Sequence, residues 1–343
     1  MSDKKTFPAA AADRRSAVEL DKKLISITVP VYQEQEVIKV FHEELARVID
    51  QIEGFLFEII YINDGSTDQT EAIITEIAKS DDRVTLINLS RNFGHQYALT
   101  CGLDYASGDA VICMDADLQH PPNLIPLLVQ KWQEGYDIVY TIRKMTVKTG
   151  LFKALTANMF YRLINTISEV PIYRDAADFR LISRKVADVF RKEIRERNRF
   201  LRGLTSWVGF NSIGIEFDVQ RRAAGKSKFS PPKMLKLASA GGTSFSTIPL
   251  KIGIYVGLLF AFLSVLYAFY AIYIYLFTDG AVPGWTSIVV SIMFISAFQF
   301  MLIGILGLYI GHMFEEVKGR PIYIVRSVVR AGCRLPTADR QSI

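Results

Sequence analysis

Two long intervals without a charged side chain constrain this sequence more than any other feature. Between Lys251 and Asp279, and again between Asp279 and Glu315, there is no Asp, Glu, Lys or Arg. Each interval exceeds the roughly 20 residues that carry a helix across a bilayer. A helix in a soluble core rarely runs so long without charge, so both are expected to be transmembrane helices. The stretch between them, 278–285, holds no Lys or Arg, whereas Lys226, Lys228, Lys233, Lys236 and Lys251 precede the first helix and Lys318, Arg320, Arg326 and Arg330 follow the second. Positive charge collects on the cytoplasmic side. Both outer ends are therefore expected in the cytoplasm and the hairpin tip outside, with Trp285 and Tyr267, Tyr270, Tyr273 and Tyr275 as interfacial anchors.

Upstream, short apolar runs alternate with segments of helical periodicity. Strands are expected at 24–29 (ending at Pro30), 57–62, 84–89, 110–114 and 137–141. Helices are expected at 37–52, at 68–79 with Ser66 or Thr67 as cap, up to about 106, and at 123–134. Alternation at this pace predicts an α/β domain with a mainly parallel, doubly wound sheet. The middle is less regular: a helix at 150–167, an extended piece at 178–182, a helix at 183–192, a basic stretch to Arg202 and a strand at 213–221. Residues 230–241 read as an amphipathic helix lying in the membrane interface. Met1 to Lys23 lacks the apolar centre of a signal peptide and reads as a disordered leader. The expected plan is a leader at 1–23, a catalytic domain at 24–229, a juxtamembrane helix at 230–247, two spans at 248–313 and a cytoplasmic tail at 314–343.

Three widely spaced cysteines offer neither a zinc pattern nor a disulfide framework. The net charge of +5 comes without an aromatic-interleaved basic stripe, so it points to a membrane surface and not to nucleic acid. No nucleophile elbow, zinc-protease helix or dinucleotide fingerprint is present.

The chemistry concentrates after the fourth expected strand, in Asp115-Ala116-Asp117-Leu118-Gln119-His120-Pro121-Pro122. Two carboxylates and an amide oxygen at alternate positions, Asp115, Asp117 and Gln119, can converge on Mg²⁺ or Mn²⁺, hard cations that share their remaining positions with substrate phosphates. Ligands of open α/β sheets bind beyond this carboxyl edge. Asp64, at the same edge, suits the ribose hydroxyls or base N–H of a nucleotide, and Gly65 lets the chain turn sharply. Pro30, Tyr32 and Glu34 are placed to wall the base. Arg143 suits a phosphate or a solvated surface. The loop Arg222-Ala223-Ala224-Gly225-Lys226-Ser227-Lys228 suits a pyrophosphate, a lipid phosphate or a general juxtamembrane basic patch. It is not a P-loop, because Gln220 stands where the first glycine is required. His95 and His120 look isolated and structural.

Six segments, taken in order, resemble one family: Val29–Glu34, Asn63–Asp68, Arg91–Gln96, Asp115–Pro122, Asp178–Arg180 and Arg222-x-x-Gly225-x-Ser227-Lys228. The chain is similar to family 2 glycosyltransferases that act on polyprenyl phosphates, a group that includes dolichol-phosphate mannose synthases, aminoarabinose transferases and bactoprenol glucosyltransferases. The last resemble it most, through the two-helix anchor and Gly319-Arg320-Pro321-Ile322-Tyr323. The resemblance implies a GT-A catalytic domain, a nucleotide-sugar donor, a divalent metal and inversion at the anomeric carbon. It implies Asp115, Asp117 and Gln119 at the metal, Asp64, Pro30, Tyr32 and Glu34 around the nucleoside, and Arg222, Ser227 and Lys228 at phosphates near the membrane. Asn63 departs from it, since many relatives carry a second Asp there. The Gln-x-x-Arg-Trp motif of processive synthases is missing, which argues against chain elongation.

The resulting expectation is a multi-pass enzyme of the cytoplasmic membrane that moves one hexose, glucose from UDP-glucose, onto undecaprenyl phosphate. Asp117, Asp178 and Arg222 are its expected catalytic residues, with Asp178 either a base or an orienting group. Donor contacts are assigned to Asp115 and Arg143 as well as the nucleoside wall. Gly253, Gly257, Gly304, Gly307 and Gly311 permit close helix contact and hence a homo-oligomer. The alternatives are a mannosyl or amino-sugar transferase, and a non-catalytic membrane scaffold or translocation partner that retains a nucleotide-binding fold.

Overall fold

A computed structural model describes residues 22–144, 176–218 apart from 198 and 200, isolated positions between 257 and 277, 284–330 and 333–336. The leader, the 150–167 helix, Arg222, Ser227 and Lys228, the juxtamembrane helix and most of the first span lie outside the described residues.

The first half alternates as its hydrophobic pattern requires. Strands β1 (Lys23–Val31), β2 (Phe55–Asn63), β3 (Val84–Leu89), β4 (Ala110–Cys113) and β5 (Ile138–Lys144) carry the apolar runs. Helices α1 (Ile38–Ile49), α2 (Thr70–Ser80), α3 (His95–Tyr105) and α4 (Ile125–Gln133) separate them. Then come β6 (Ala176–Ser183), α5 (Arg184–Lys192), α6 (Leu201–Trp207) and β7 (Ser212–Asp218). The long helix α7 (Trp285–Val317) is followed by β8 (Val325–Arg330) and β9 (Cys333–Pro336).

The nine strands among the described residues share one sheet, in the order β7-β5-β6-β4-β1-β2-β3-β8-β9. β4, β1, β2 and β3 are mutually parallel, and β7 is parallel to β5. β6 runs against both β4 and β5, and β8 against β3 and β9. Seven strands thus run one way, so the sheet is mainly parallel, as expected for a GT-A-like domain. Helices α1, α2 and α4 bury Phe41, Leu45, Ile74, Ile125 and Leu128 on one face. Helices α3, α5 and α6 bury Leu99, Val186, Phe190, Leu201 and Leu204 on the other. Both faces being covered explains why β1 is buried from Leu24 onward instead of alternating.

Local departures have physical reasons. β1 continues past Pro30 because its pairing with β4 ends at Thr28 opposite Cys113, so the missing N–H falls where β4 no longer needs it. Ser66 and Thr67 do not cap α2: their hydroxyls accept from the Gln33 backbone N–H at 3.0 Å and from Gln33 Nε2 at 3.3 Å. Asp68 takes the capping role, its Oδ1 accepting the Thr70 N–H at 3.1 Å. Arg143 lies within β5, not after it. The segment expected as a tail instead supplies β8 and β9, because Val325–Arg330 can satisfy the open edge of β3.

Of the two expected spans, the described residues show one. Within α7, the 20 residues Phe298–Val317 are apolar enough to cross a bilayer, and none of that stretch is buried. Phe300, Ile303 and Ile310 are all more than half exposed, which suits lipid as their solvent.

Candidate active site

The end of β4 is built by alternation. Asp115, Asp117 and Gln119 are each half-buried, while Ala116, Leu118 and His120 between them are buried. Leu118 adopts a positive φ of 57°, and the Gln119 N–H donates to Asp117 Oδ1 at 3.1 Å, so a tight Asx turn fixes the loop. Period-2 placement therefore persists past the strand and leaves the three oxygen-bearing side chains on the open side. Among the described residues no three His, Cys, Asp or Glu side chains are grouped to hold a metal by themselves. Two carboxylates and an amide fit a hard cation that takes its remaining oxygens from a pyrophosphate.

The two histidines stand at the centre of this site, contrary to expectation. His120 is fully buried, stacked on Phe179 at 5.5 Å with Phe217 edge-on at 6.1 Å. Burial holds its pKa below the ordinary imidazole range against the pull of Asp115. Arg143 Nη2 lies 3.1 Å from His120 Nε2. On the other side of the ring Nδ1 faces Asp115 twice, 3.5 Å from its backbone nitrogen and 3.6 Å from Oδ2. Arg143 is thus joined to Asp115 through the ring. Its Nε is buried with no partner among the described residues.

His95 opens α3 and points its Nε2 at Asp115 Oδ1 and Asp178 Oδ2, 3.5 Å from each. Asp178 is buried on β6, and its Oδ1 accepts from Arg180 Nη2 at 3.2 Å. Arg180 is itself held by Thr205 Oγ1 at 2.8 Å and the Ala177 carbonyl at 3.1 Å. The structure brings Asp115, Asp178 and Arg143 into one cluster through two imidazoles. His95 and His120 are 25 residues apart in sequence, and only the adjacency of α3 and β4 signals their meeting. The one hint is local: His120 falls on the buried side of the alternation that exposes Asp115.

The end of β2 is organised differently. Asp64 is buried, with Oδ1 accepting the Phe93 N–H at 2.8 Å and Oδ2 the Gly94 N–H at 2.9 Å. Burial raises its pKa, and those two bonds together with the nearby His95 and Arg91 charges oppose the rise. Both oxygens, expected to face a nucleoside, hold the loop after β3. Gly65, at φ 71°, packs so closely there that a Cβ would lie 2.5 Å from the Arg91 carbonyl carbon. Asn63 is likewise committed: its Oδ1 accepts the Ser66 N–H at 2.9 Å, and its Nδ2 donates to Asn88 Oδ1 at 2.9 Å. Asn88 in turn donates to Ser327 Oγ at 3.1 Å. Pro30 is buried at the end of β1, with Tyr32 and Glu34 half-buried beyond it. The Glu34 N–H donates to Thr70 Oγ1 at 2.9 Å, tying this wall to α2.

The C-terminal end of α7 reaches the same neighbourhood. Two residues after His95, Tyr97 donates its hydroxyl to the Arg197 carbonyl at 2.9 Å. The Arg197 N–H donates to Glu316 Oε1, in the last turn of α7, at 2.5 Å.

Residues 26–190 match the family model Glycosyl transferase family 2. The chain is 44% identical over 301 residues to the uncharacterized glycosyltransferase YkcC of Bacillus subtilis (strain 168), covering 88% of this chain and 93% of that one. It is 45% identical over 302 residues to the SfII prophage-derived bactoprenol glucosyl transferase of Shigella flexneri, covering 88% and 97%. With the prophage bactoprenol glucosyl transferase homolog of Escherichia coli (strain K12) it shares 43% identity over 304 residues, 89% and 99% of the two chains. With an acidic loop after β4 on a mainly parallel sheet, and relatives that match nearly end to end, this chain belongs to glycosyltransferase family 2.

Proposed function

We propose that this protein transfers a single hexose, glucose from UDP-glucose, onto the phosphate of undecaprenyl or a related polyprenyl phosphate at the cytoplasmic membrane face. The observation that carries the reading is the union of anchor and site. Tyr97, two residues along α3 from His95 of the His95–Asp115–Asp178 cluster, is joined through Arg197 to the end of the apolar helix α7. A phosphate carried by a membrane lipid would be presented at that level.

The same architecture supports two crossings. β8 follows α7 and pairs with β3, in the sheet that also holds β1–β7. A chain that crosses the bilayer once cannot rejoin a sheet left on the starting side, so the uncharged 252–278 stretch is the natural partner span. Among the described residues a Cβ on Gly304, Gly307 or Gly311 would meet nothing within 4 Å, which leaves room for the helix packing of a homo-oligomer.

In this reading Asp115, Asp117 and Gln119 hold Mg²⁺ or Mn²⁺ on the donor pyrophosphate, and when bound the cation supplies neutralisation of charge on the departing UDP. Arg143, one arm of which meets His120 and whose Nε has no partner among the described residues, is assigned to a pyrophosphate oxygen. Pro30, Tyr32 and Glu34 border the nucleoside, with Asp64 shaping the loop beside it. An acceptor phosphate is already ionised near neutral pH, with a second pKa of about 6, so no strong base is required. Asp178, paired with Arg180, then orients substrate instead of removing a proton. Arg222, Ser227 and Lys228 would receive the acceptor phosphate, turning it to attack the anomeric carbon opposite UDP and invert it.

The test is a panel of radiolabelled UDP-glucose, GDP-mannose and UDP-amino sugars given to the purified full chain with undecaprenyl phosphate and Mg²⁺ or Mn²⁺. Lipid-extractable label from UDP-glucose is the expected result. Label from another donor would replace the sugar, and UDP release without lipid label from any donor would replace the transferase reading with the nucleotide-binding scaffold.

A further inference from the structure

The ten or so residues after α7 touch the site's supports at several points. The Arg320 carbonyl accepts from the Arg197 guanidinium, and the Ile324 carbonyl accepts the Ser90 N–H at 2.9 Å. Tyr323 donates its hydroxyl to Asp104 Oδ2 at 2.7 Å. Arg195 closes on the same carboxylate, at 2.8 Å to Oδ1 and 2.9 Å to Oδ2. Asp104 stands in the last turn of α3, whose first residue is His95. One helix therefore has its far end gripped by the segment leaving the membrane and its near end inside the site.

That helix cannot shift independently of the sheet. Gly102 lies so close to β1 that a Cβ there would be 2.8 Å from Thr28 Cβ. The Asp104 clamp beside it therefore ties α3 and the sheet together to the chain that follows α7, and Tyr97 and Thr100 add bonds to Arg197 and Arg199. Burial, then the neighbouring Cys101 and Asp104, hold the Tyr323 hydroxyl well above the ordinary phenol range, so it remains a donor at any working pH.

We propose that Tyr323 is a positioning residue for transfer: through Asp104 it fixes the height of α3, and with it His95 and the Asp115–Asp178 cluster, above the bilayer. It rests on the polyprenyl-phosphate reading and goes beyond it by assigning a role to the segment after the membrane helix. A site held at the wrong height meets a bilayer-bound phosphate less often but still reacts with one that diffuses freely.

The experiment uses the full chain in phosphatidylethanolamine–phosphatidylglycerol vesicles. It compares undecaprenyl phosphate in the bilayer with geranyl phosphate, a short water-soluble acceptor. For Tyr323→Phe, KM for the bilayer acceptor should rise about tenfold while KM and kcat for geranyl phosphate stay within about twofold, the scale expected of a small misplacement. Asp104→Ala should give the same split, and the double variant no more than the larger single effect. Asp104→Asn keeps an oxygen for the hydroxyl and should restore near-normal behaviour. Equal losses on both acceptors, no loss on either, or additive effects in the double variant would overturn the proposal. Wild-type protein that transfers to neither acceptor would instead remove the function on which it rests.

Discussion

Asp64 and Asp115 each follow a buried strand of the same parallel sheet, β2 and β4, and each opens onto the same edge. Asp64 is 3% exposed and spends both oxygens on backbone N–H groups. The Asp115 side chain is 26% exposed and faces two imidazoles at 3.5 and 3.6 Å. The difference lies in the neighbours. Beside β2 the Phe93–Gly94 turn presents backbone donors, which need no side-chain entropy to hold in place, and they lock the carboxylate inward. Beside β4 the neighbours are side chains at the tips of α3, β5 and β6, and they leave the outer lone pairs open. One aspartate is a bolt; the other stays partly exposed between two imidazoles.

The largest test of that contrast is Asp117→Ala. It removes a carboxylate from the open side of the β4 loop and should lower transfer by about 10²–10³-fold, as loss of one charge-stabilising group does. The melting temperature and membrane insertion should not change; retained turnover would break the assignment. His120→Phe comes next. The ring shape against Phe179 survives, but Arg143 loses its tether, so transfer should fall by about 10–100-fold with little loss of stability. A drop in melting temperature equal to that of a core cavity would mean His120 only fills space.

Asp64→Ala should show the opposite profile, with folding affected first. Two buried N–H groups lose their acceptor, each at a cost of about 1–3 kcal/mol, visible as a lower urea midpoint. Acidity sharpens the point. Burial makes the folded chain hold the Asp64 proton more tightly than the unfolded chain does. Its contribution is therefore full below the unfolded value of about 3.9 and is lost as pH rises through the folded value. The melting-temperature advantage of wild type over Asp64→Asn should shrink from acid toward neutral pH. If it grows instead, the N–H pair outweighs burial and the bolt works as an anion. The smallest effect is expected for Ser327→Ala, which takes one acceptor from the Asn63–Asn88 ladder and should cost about 1 kcal/mol. Transfer should be unchanged.

The regular part of the fold was legible because strands buried on both faces read as unbroken apolar runs. β3 falls on the expected residues, Val84–Leu89. β8 was not legible: Val325-Arg326-Ser327-Val328-Val329-Arg330 is a short mixed segment after a long helix, and what makes it a strand is the vacant edge of β3. α6 starts only as a basic stretch ends, and just before it Arg199 is buried and donates to Thr100 Oγ1 at 2.8 Å. Nothing in the local pattern announces a buried arginine.

Sequence alone determined the acidic loop, the charge-free intervals and the family, because alternation, span length and motif order are properties of neighbours along the chain. Tertiary structure alone decided that Asp64 is tied to backbone N–H groups while Asp115 faces imidazoles. It also decided that His95 and His120 join Asp115 to Asp178 and Arg143, and that the chain beyond α7 returns to grip α3. Those outcomes depend on contacts between residues tens to hundreds of positions apart, whose geometry exists only once the sheet has ordered its strands.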